Sequence, residues 1–179
     1  MPHYIRRPQR QLDNPVACRT PIRHEDLALN LSVSPAFFEL LDNSYSRLLG
    51  RSLAPTGMTI EAAARWLYED APFGILAHNT DADPTFIYGN NAAQRRFEYT
   101  WHELTSLRSR LSADATNREE RQQFLERVRR DGFVTGYRGL RVTKAGKRFW
   151  IEDATVWQLT DDAGIYRGQA AMLPRTIDV

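Results

Sequence analysis

From Phe133 to Leu173 the chain alternates apolar and polar residues with a period of two, and the pattern breaks at Lys144-Ala145-Gly146-Lys147 and at Asp161-Asp162-Ala163-Gly164. Side chains of a strand point alternately to the two faces of its sheet, so the pattern predicts three long strands, about residues 134–143, 148–159 and 166–173. Such short turns cannot carry the crossover that parallel neighbours need, so the three strands form an antiparallel meander. Upstream, the apolar runs at residues 75–77 and 86–88 flank the turn-forming Asp81-Ala82-Asp83-Pro84 and read as a β-hairpin. The expectation is an α+β fold with one antiparallel sheet of five strands.

The helices announce themselves by their caps. Ser34 followed by Pro35, with Gly50 at the far end, brackets a helix whose Phe37, Phe38, Leu41, Tyr45, Leu48 and Leu49 share one stripe. A second helix runs from Thr59 to about Glu69 and stops at Asp70-Ala71-Pro72. Between hairpin and meander come three capping pairs, Asn91 with Gln94, Thr100 with Glu103 and Asn117 with Glu120. The first two open short helices, and the third opens a longer one that ends at Gly132. The chain therefore divides into an irregular arm (1–33), N-terminal helices that pack on the core (34–71), and the core itself (72–179), with the helices of the core on one face of its sheet. The arm contains Pro2, Pro8, Pro15 and Pro21, which leave no room for a long helix.

Composition narrows the function. A formal net charge of +2 makes no case for nucleic acid or an anionic membrane as partner, and of the 24 basic residues only Lys144 and Lys147 are lysines. Cys18 is the one cysteine, so there is no disulfide framework and no multi-thiolate metal site, and the cytoplasm is the natural setting. No run approaches the roughly 18 apolar residues of a membrane span. His3, His24, His78 and His102 lack metal-ligand spacing, and no nucleophile elbow, phosphate loop or HExxH is present.

From Pro72 onward the order of elements resembles a PAS domain. The residues that carry the likeness are Pro72-Phe73-Gly74-Ile75, the acidic turn at Asp81 and Asp83, Tyr88 with Asn90, Ala92-Ala93, and Thr100 to Leu104. More closely, residues 37–173 resemble the MEKHLA family, a PAS-like domain known as a small bacterial protein and as the C-terminal part of plant homeodomain-leucine zipper regulators. The matching strings are FFELLDNSYSRLLGRSL, APFGILAHNTDADPTFIYGN, RLSADATNREER, VWQLTD and GQAA. The hexapeptide that names the family is absent, as are homeodomain and zipper, so the plant proteins' transcriptional role does not carry over. The resemblance implies a fold and a regulatory role, and leaves the cofactor unknown. Related flavin-binding PAS domains use a glutamine in the last strand, where this chain has Gln169, but the motif with the reactive cysteine is missing.

The candidate site residues follow from placement. One face of the second meander strand reads Phe149, Ile151, Asp153, Thr155, Trp157, Leu159, with two polar residues amid apolar ones. If that face points inward, Asp153 and Thr155 converge with Tyr137 and Gln169 of the neighbouring strands, and Trp157 and Phe149 form walls, giving an apolar pocket with a few polar anchors. A one-residue bulge would turn Asp153 outward. His78 and Asn90 end the two hairpin strands beside a helix start, where a polar ligand group fits. The plainer reading makes Asn90 or Asn91 a cap and His78 a surface residue. Arg108, Arg110, Arg118 and Arg121 lie on the short helices that wall PAS-like cavities, and an inward arginine, Arg110 first among them, would hold a carboxylate. Three functions remain: a sensor that binds a small organic ligand, an interaction module with a filled core that forms homodimers, and a small enzyme with Asp153 and His78 as acid and base. The first is the reading adopted, with no catalytic residue and no metal.

Overall fold

The structure is a computed structural model that describes residues 31–113 and 118–179, the side chains of residues 118–122 excepted. Cys18, most of the arm, the capping pair at Asn117 and the side chains of Arg118 and Arg121 lie outside the described residues. A 3-10 turn (Leu31–Val33) leads into α1 (Pro35–Leu49) and α2 (Ile60–Glu69), followed by the hairpin β1 (Gly74–His78) and β2 (Phe86–Gly89). Then come α3 (Asn91–Phe97), α4 (Trp101–Leu104), a 3-10 segment (Ser109–Ser112) and α5 (Arg118–Asp131). The meander β3 (Phe133–Val142), β4 (Arg148–Thr160) and β5 (Tyr166–Leu173) and a short β6 (Arg175–Asp178) complete the chain.

The antiparallel α+β architecture expected from the alternation is present, and it is larger by one strand. The order is β2-β1-β5-β4-β3, and β6 pairs with β4 over Phe149–Glu152, on the edge that β5 uses over Thr155–Thr160. Pro174, which has no N–H to give to a ladder, separates β5 from β6. A four-residue strand behind a proline reads in the sequence as a tail.

The caps do what their residue types allow. The Ser34 and Thr59 side chains accept from the Phe37 and Ala62 N–H groups, and Gly50 closes α1 in the left-handed conformation, φ 71°. At α3 the cap is Asn90 and not Asn91, because the Asn90 side chain accepts from the Ala93 N–H. The Thr100–Glu103 capping box is complete.

Helices cover both faces of the sheet. α3 and α5 lie on one, where Leu76, Phe97, Phe149, Ile151, Phe124 and Val156 are buried. α1 and α2 lie on the other, where Phe37, Leu41, Tyr45 and Leu67 pack with Ile75, Trp157 and Leu159. The apolar stripe of α1 is thus docked, and Ser44 pins it: its hydroxyl donates to the Thr160 carbonyl and accepts from the Thr160 N–H, both at 3.0 Å. No helix among the described residues is long and apolar enough to cross a membrane.

The β3–β4 turn is tied to α3 and α4 by Lys147 Nζ to Glu98 at 2.6 Å and Lys144 Nζ to Glu103 at 2.5 Å. The Lys144 hydrogen bond, then the Thr100 N–H and hydroxyl, hold the Glu103 carboxyl down at about 2 against its ordinary 4.5. A folded-state value below the unfolded one contributes stability at pH above the unfolded value, and the contribution disappears as pH falls through about 2. The melting-temperature gap between the parent and Glu103→Gln is therefore expected to close between about pH 6 and about pH 2 at low salt. A gap that stays constant over that range contradicts the staple.

Candidate functional site

β4 decides which residues meet. Asp153 has φ 55°, a left-handed conformation in mid-strand, and there the side-chain alternation slips by one residue. Before it, Phe149 and Ile151 face α3 and α5; after it, Ala154 and Val156 take over that face. Thr155, Trp157 and Leu159 are thereby turned to the side of α1 and α2, where Trp157 meets Tyr45 edge-on at 5.0 Å. The face read from strict alternation is split. Asp153 points to solvent, its side chain 71% exposed and its Oδ2 3.3 Å from Arg175. It therefore shares no site with His78, and the acid-base pair of the enzyme reading does not form.

On the α3 and α5 side the sheet leaves a cavity of about 80 Å³, walled by Leu76, Phe86, Phe97, Phe124, Ile151 and Leu173. Of the expected anchors, His78 and Gln169 line it. His78 Nε2 lies 3.3 Å from Gln169 Oε1, and Nδ1 lies 2.8 Å from the Asn79 carbonyl. They meet because the two residues are register partners of β1 and β5. Tyr137 stacks on Phe124 with ring centroids 3.9 Å apart, and so stands behind the wall. Gly139 makes room for it, since a Cβ there would lie 2.5 Å from the Tyr137 hydroxyl oxygen. The group expected around β4 is thus split: Gln169 lines the cavity, Tyr137 is adjacent, and Asp153, Thr155 and Trp157 are elsewhere, while His78, expected beside Asn90, stands with Gln169.

Asn90 is fully buried, and both ends of its amide are engaged. Oδ1 accepts from the Ile75 N–H at 2.9 Å and the Ala93 N–H at 3.0 Å, while Nδ2 donates to the Leu67 and Phe73 carbonyls. With two donors and two acceptors satisfied it has nothing left for a ligand.

Arg110 does not turn inward either. Its Nε donates to both oxygens of Asp83, at 3.0 and 3.1 Å, and Arg108 holds the Asp83 carbonyl at 2.7 Å and the Thr85 hydroxyl at 2.8 Å. These outward arginines fasten the Ser109–Ser112 segment to the hairpin turn, with the Ser109 N–H on the Pro84 carbonyl. The residue between them points the other way: Ser109 is buried on the cavity wall, and its hydroxyl has no hydrogen-bond partner. The inward arginine is Arg141 of β3, in register with Phe149. Ser109 has no signal in the sequence. Arg141 is readable only once β3 is paired with β4, because Tyr137, Gly139 and Arg141 then share the face of Phe149 and Ile151.

A wider groove of about 500 Å³ lies between α3, α4 and the β3–β4 turn. Its Glu98, Glu103 and Lys144 are already paired.

The strand order, the short helices over one face and the cavity beneath them define a PAS-like module, and solved structures agree. The PAS domain of a protein from Colwellia psychrerythraea is 13% identical with a TM-score of 0.52, over 63% of this chain and 90% of that one. An RNA-binding light-oxygen-voltage receptor is 21% identical with a TM-score of 0.56, over 72% of this chain and 35% of the receptor. A light-oxygen-voltage domain studied with a flavin analogue is 15% identical with a TM-score of 0.50, over 60% and 77%. At these identities the likeness is one of fold. No curated protein matches the sequence. The MEKHLA domain model matches residues 35–176, so the chain belongs to the MEKHLA domain family, and its fold is PAS-like.

Proposed function

We propose that this module works by admitting a small organic ligand to the cavity between the sheet and α3 and α5, as a cytosolic regulatory domain without catalytic activity of its own. One observation carries the reading: an apolar cavity that holds a few polar groups aimed inward, Ser109 Oγ among them without a partner. At about 80 Å³ the space is well under the roughly 300 Å³ at which drug-sized ligand sites begin, so the ligand is small.

Native mass spectrometry of the purified chain is expected to show a retained small molecule. Gln169→Ala, which removes the partner of His78 from the cavity wall, should weaken its retention by about 5- to 150-fold, the effect of about 1 to 3 kcal/mol when a polar contact buried in that wall is lost. Asp153→Ala and Arg129→Ala, whose parent side chains are exposed, should leave it unchanged. Equal retention in all three variants contradicts the cavity as the site.

A second reading, a homodimerisation module, draws on the sheet face that α1 and α2 leave open. There Leu140, Trp150 and Ile177 stand in one cross-strand row over β3, β4 and β6. Light scattering that finds a dimer in the parent chain and a monomer in Trp150→Glu would favour it.

A further inference from the structure

We infer that the cavity's ligand is a short organic carboxylate, its charged end on Arg141 and the Ser109 hydroxyl and its alkyl body on the apolar wall; this rests on the reading of the cavity as a ligand site. Arg141 lines the cavity from the edge strand β3. Its guanidinium donates to the Leu140 carbonyl at 2.9 Å and to the Tyr137 hydroxyl at 3.4 Å, both neutral acceptors. Among the described residues no carboxylate pairs with it, and no Asp or Glu lines the cavity. Among the described residues, this half-buried cation beside an apolar space has no counter-ion of the kind such a charge calls for. With five N–H donors and two hydrogen-bond partners, the guanidinium keeps three N–H groups to offer a carboxylate.

Ser109 supplies the independent second sign. Ser109 is 5% exposed, and its buried hydroxyl lacks a partner and is an O–H donor on the same cavity. His78 and Gln169 face each other on the cavity wall, so the polar groups of the lining with donors to spare are Arg141 and Ser109. Leu76, Phe86, Ile151 and Leu173 offer an alkyl chain apolar contact and no charge. The volume sets the length: about 80 Å³ at 10 to 15 Å³ per water-sized occupant admits on the order of six non-hydrogen atoms. That is the size of butyrate or pentanoate, and an ammonium ligand would meet Arg141 as a like charge.

The test titrates the full chain with sodium pentanoate, pentanamide and butylamine, following methyl NMR signals of Leu76 and Ile151 together with the melting temperature. Pentanoate is expected to shift the cavity methyls and to bind at least about 10-fold more tightly than the isosteric amide, with no binding of the amine. Arg141→Gln should erase the preference for acid over amide, Arg141→Lys should keep part of it, and Ser109→Ala should weaken pentanoate by about 5-fold. Amide binding as tight as acid, or acid binding that Arg141→Gln leaves intact, overturns the carboxylate and leaves the cavity as a site for a neutral ligand. Cavity methyls that respond to none of the three probes overturn both the carboxylate and the ligand cavity. The comparison of acid with amide on the parent chain needs no variant, so it stands even if Arg141→Gln fails to fold.

Discussion

Asn90→Ala is expected to lower the unfolding free energy by about 3 to 6 kcal/mol, enough to unfold much of the chain under native conditions. The side chain is fully buried and joins three elements: the Leu67 carbonyl at the end of α2, the Phe73 carbonyl and Ile75 N–H at the entry to β1, and the Ala93 N–H in the first turn of α3. Alanine removes all four bonds at once and leaves two backbone donors and two carbonyls without partners, each worth about 1 to 3 kcal/mol when buried. Asn90→Asp should fall between, because a carboxylate still accepts from both N–H groups but offers no donor to the carbonyls. Asn91→Ala, one residue on and only partly buried, should change stability by less than about 1 kcal/mol. Urea denaturation of the three variants decides the matter, and similar losses for Asn90→Ala and Asn91→Ala would remove Asn90 from its central place.

Why the fold was more legible than the site follows from what each depends on. Caps and alternation are local, so Ser34, Thr59, the Thr100–Glu103 box and the three meander strands can be read residue by residue. The site depends on one backbone torsion. Asp153 at φ 55° shifts the alternation of β4, and a non-glycine residue in that conformation carries no mark in the sequence. Everything read beyond it by strict alternation, Thr155 and Trp157 included, was placed on the wrong face. Gln169, read beside Asp153 and Thr155, and His78, read beside Asn90, come together instead because β1 and β5 pair without a shift from Gly74 to His78. Arg110 illustrates a different failure. Its neighbours in sequence are apolar or small, whereas its partner Asp83 is 27 residues away, and only the chain's return brings the charges together. The acidic turn and the arginine-rich segment were each visible, but their mutual neutralisation was not. With Arg108 and Arg110 turned outward, the small polar residue between them became the inward one.

Gly168→Ala is expected to cost about 3 to 5 kcal/mol and to disable the cavity with it. Gly168 has φ 138°, a region L-residues rarely enter, and a Cβ there would lie 2.1 Å from the His78 carbonyl oxygen. That atom is backbone, so no rotamer change relieves the overlap, and the ends of β1 and β5 must part. The register pair His78 and Gln169 sits at that end, one residue from the glycine. Forcing the strands apart therefore breaks the contact that closes the His78–Gln169 wall, and ligand retention falls together with stability. Gly164→Ala serves as the comparison, because it too has a positive φ, 77°, but nothing lies within 4 Å of its added Cβ. Only the left-handed backbone term of about 1 to 2 kcal/mol applies there. Chemical denaturation that puts the two variants within about 1 kcal/mol of each other would show that β1 and β5 tolerate separation, and that their close approach at Gly168 does not hold the cavity wall in place.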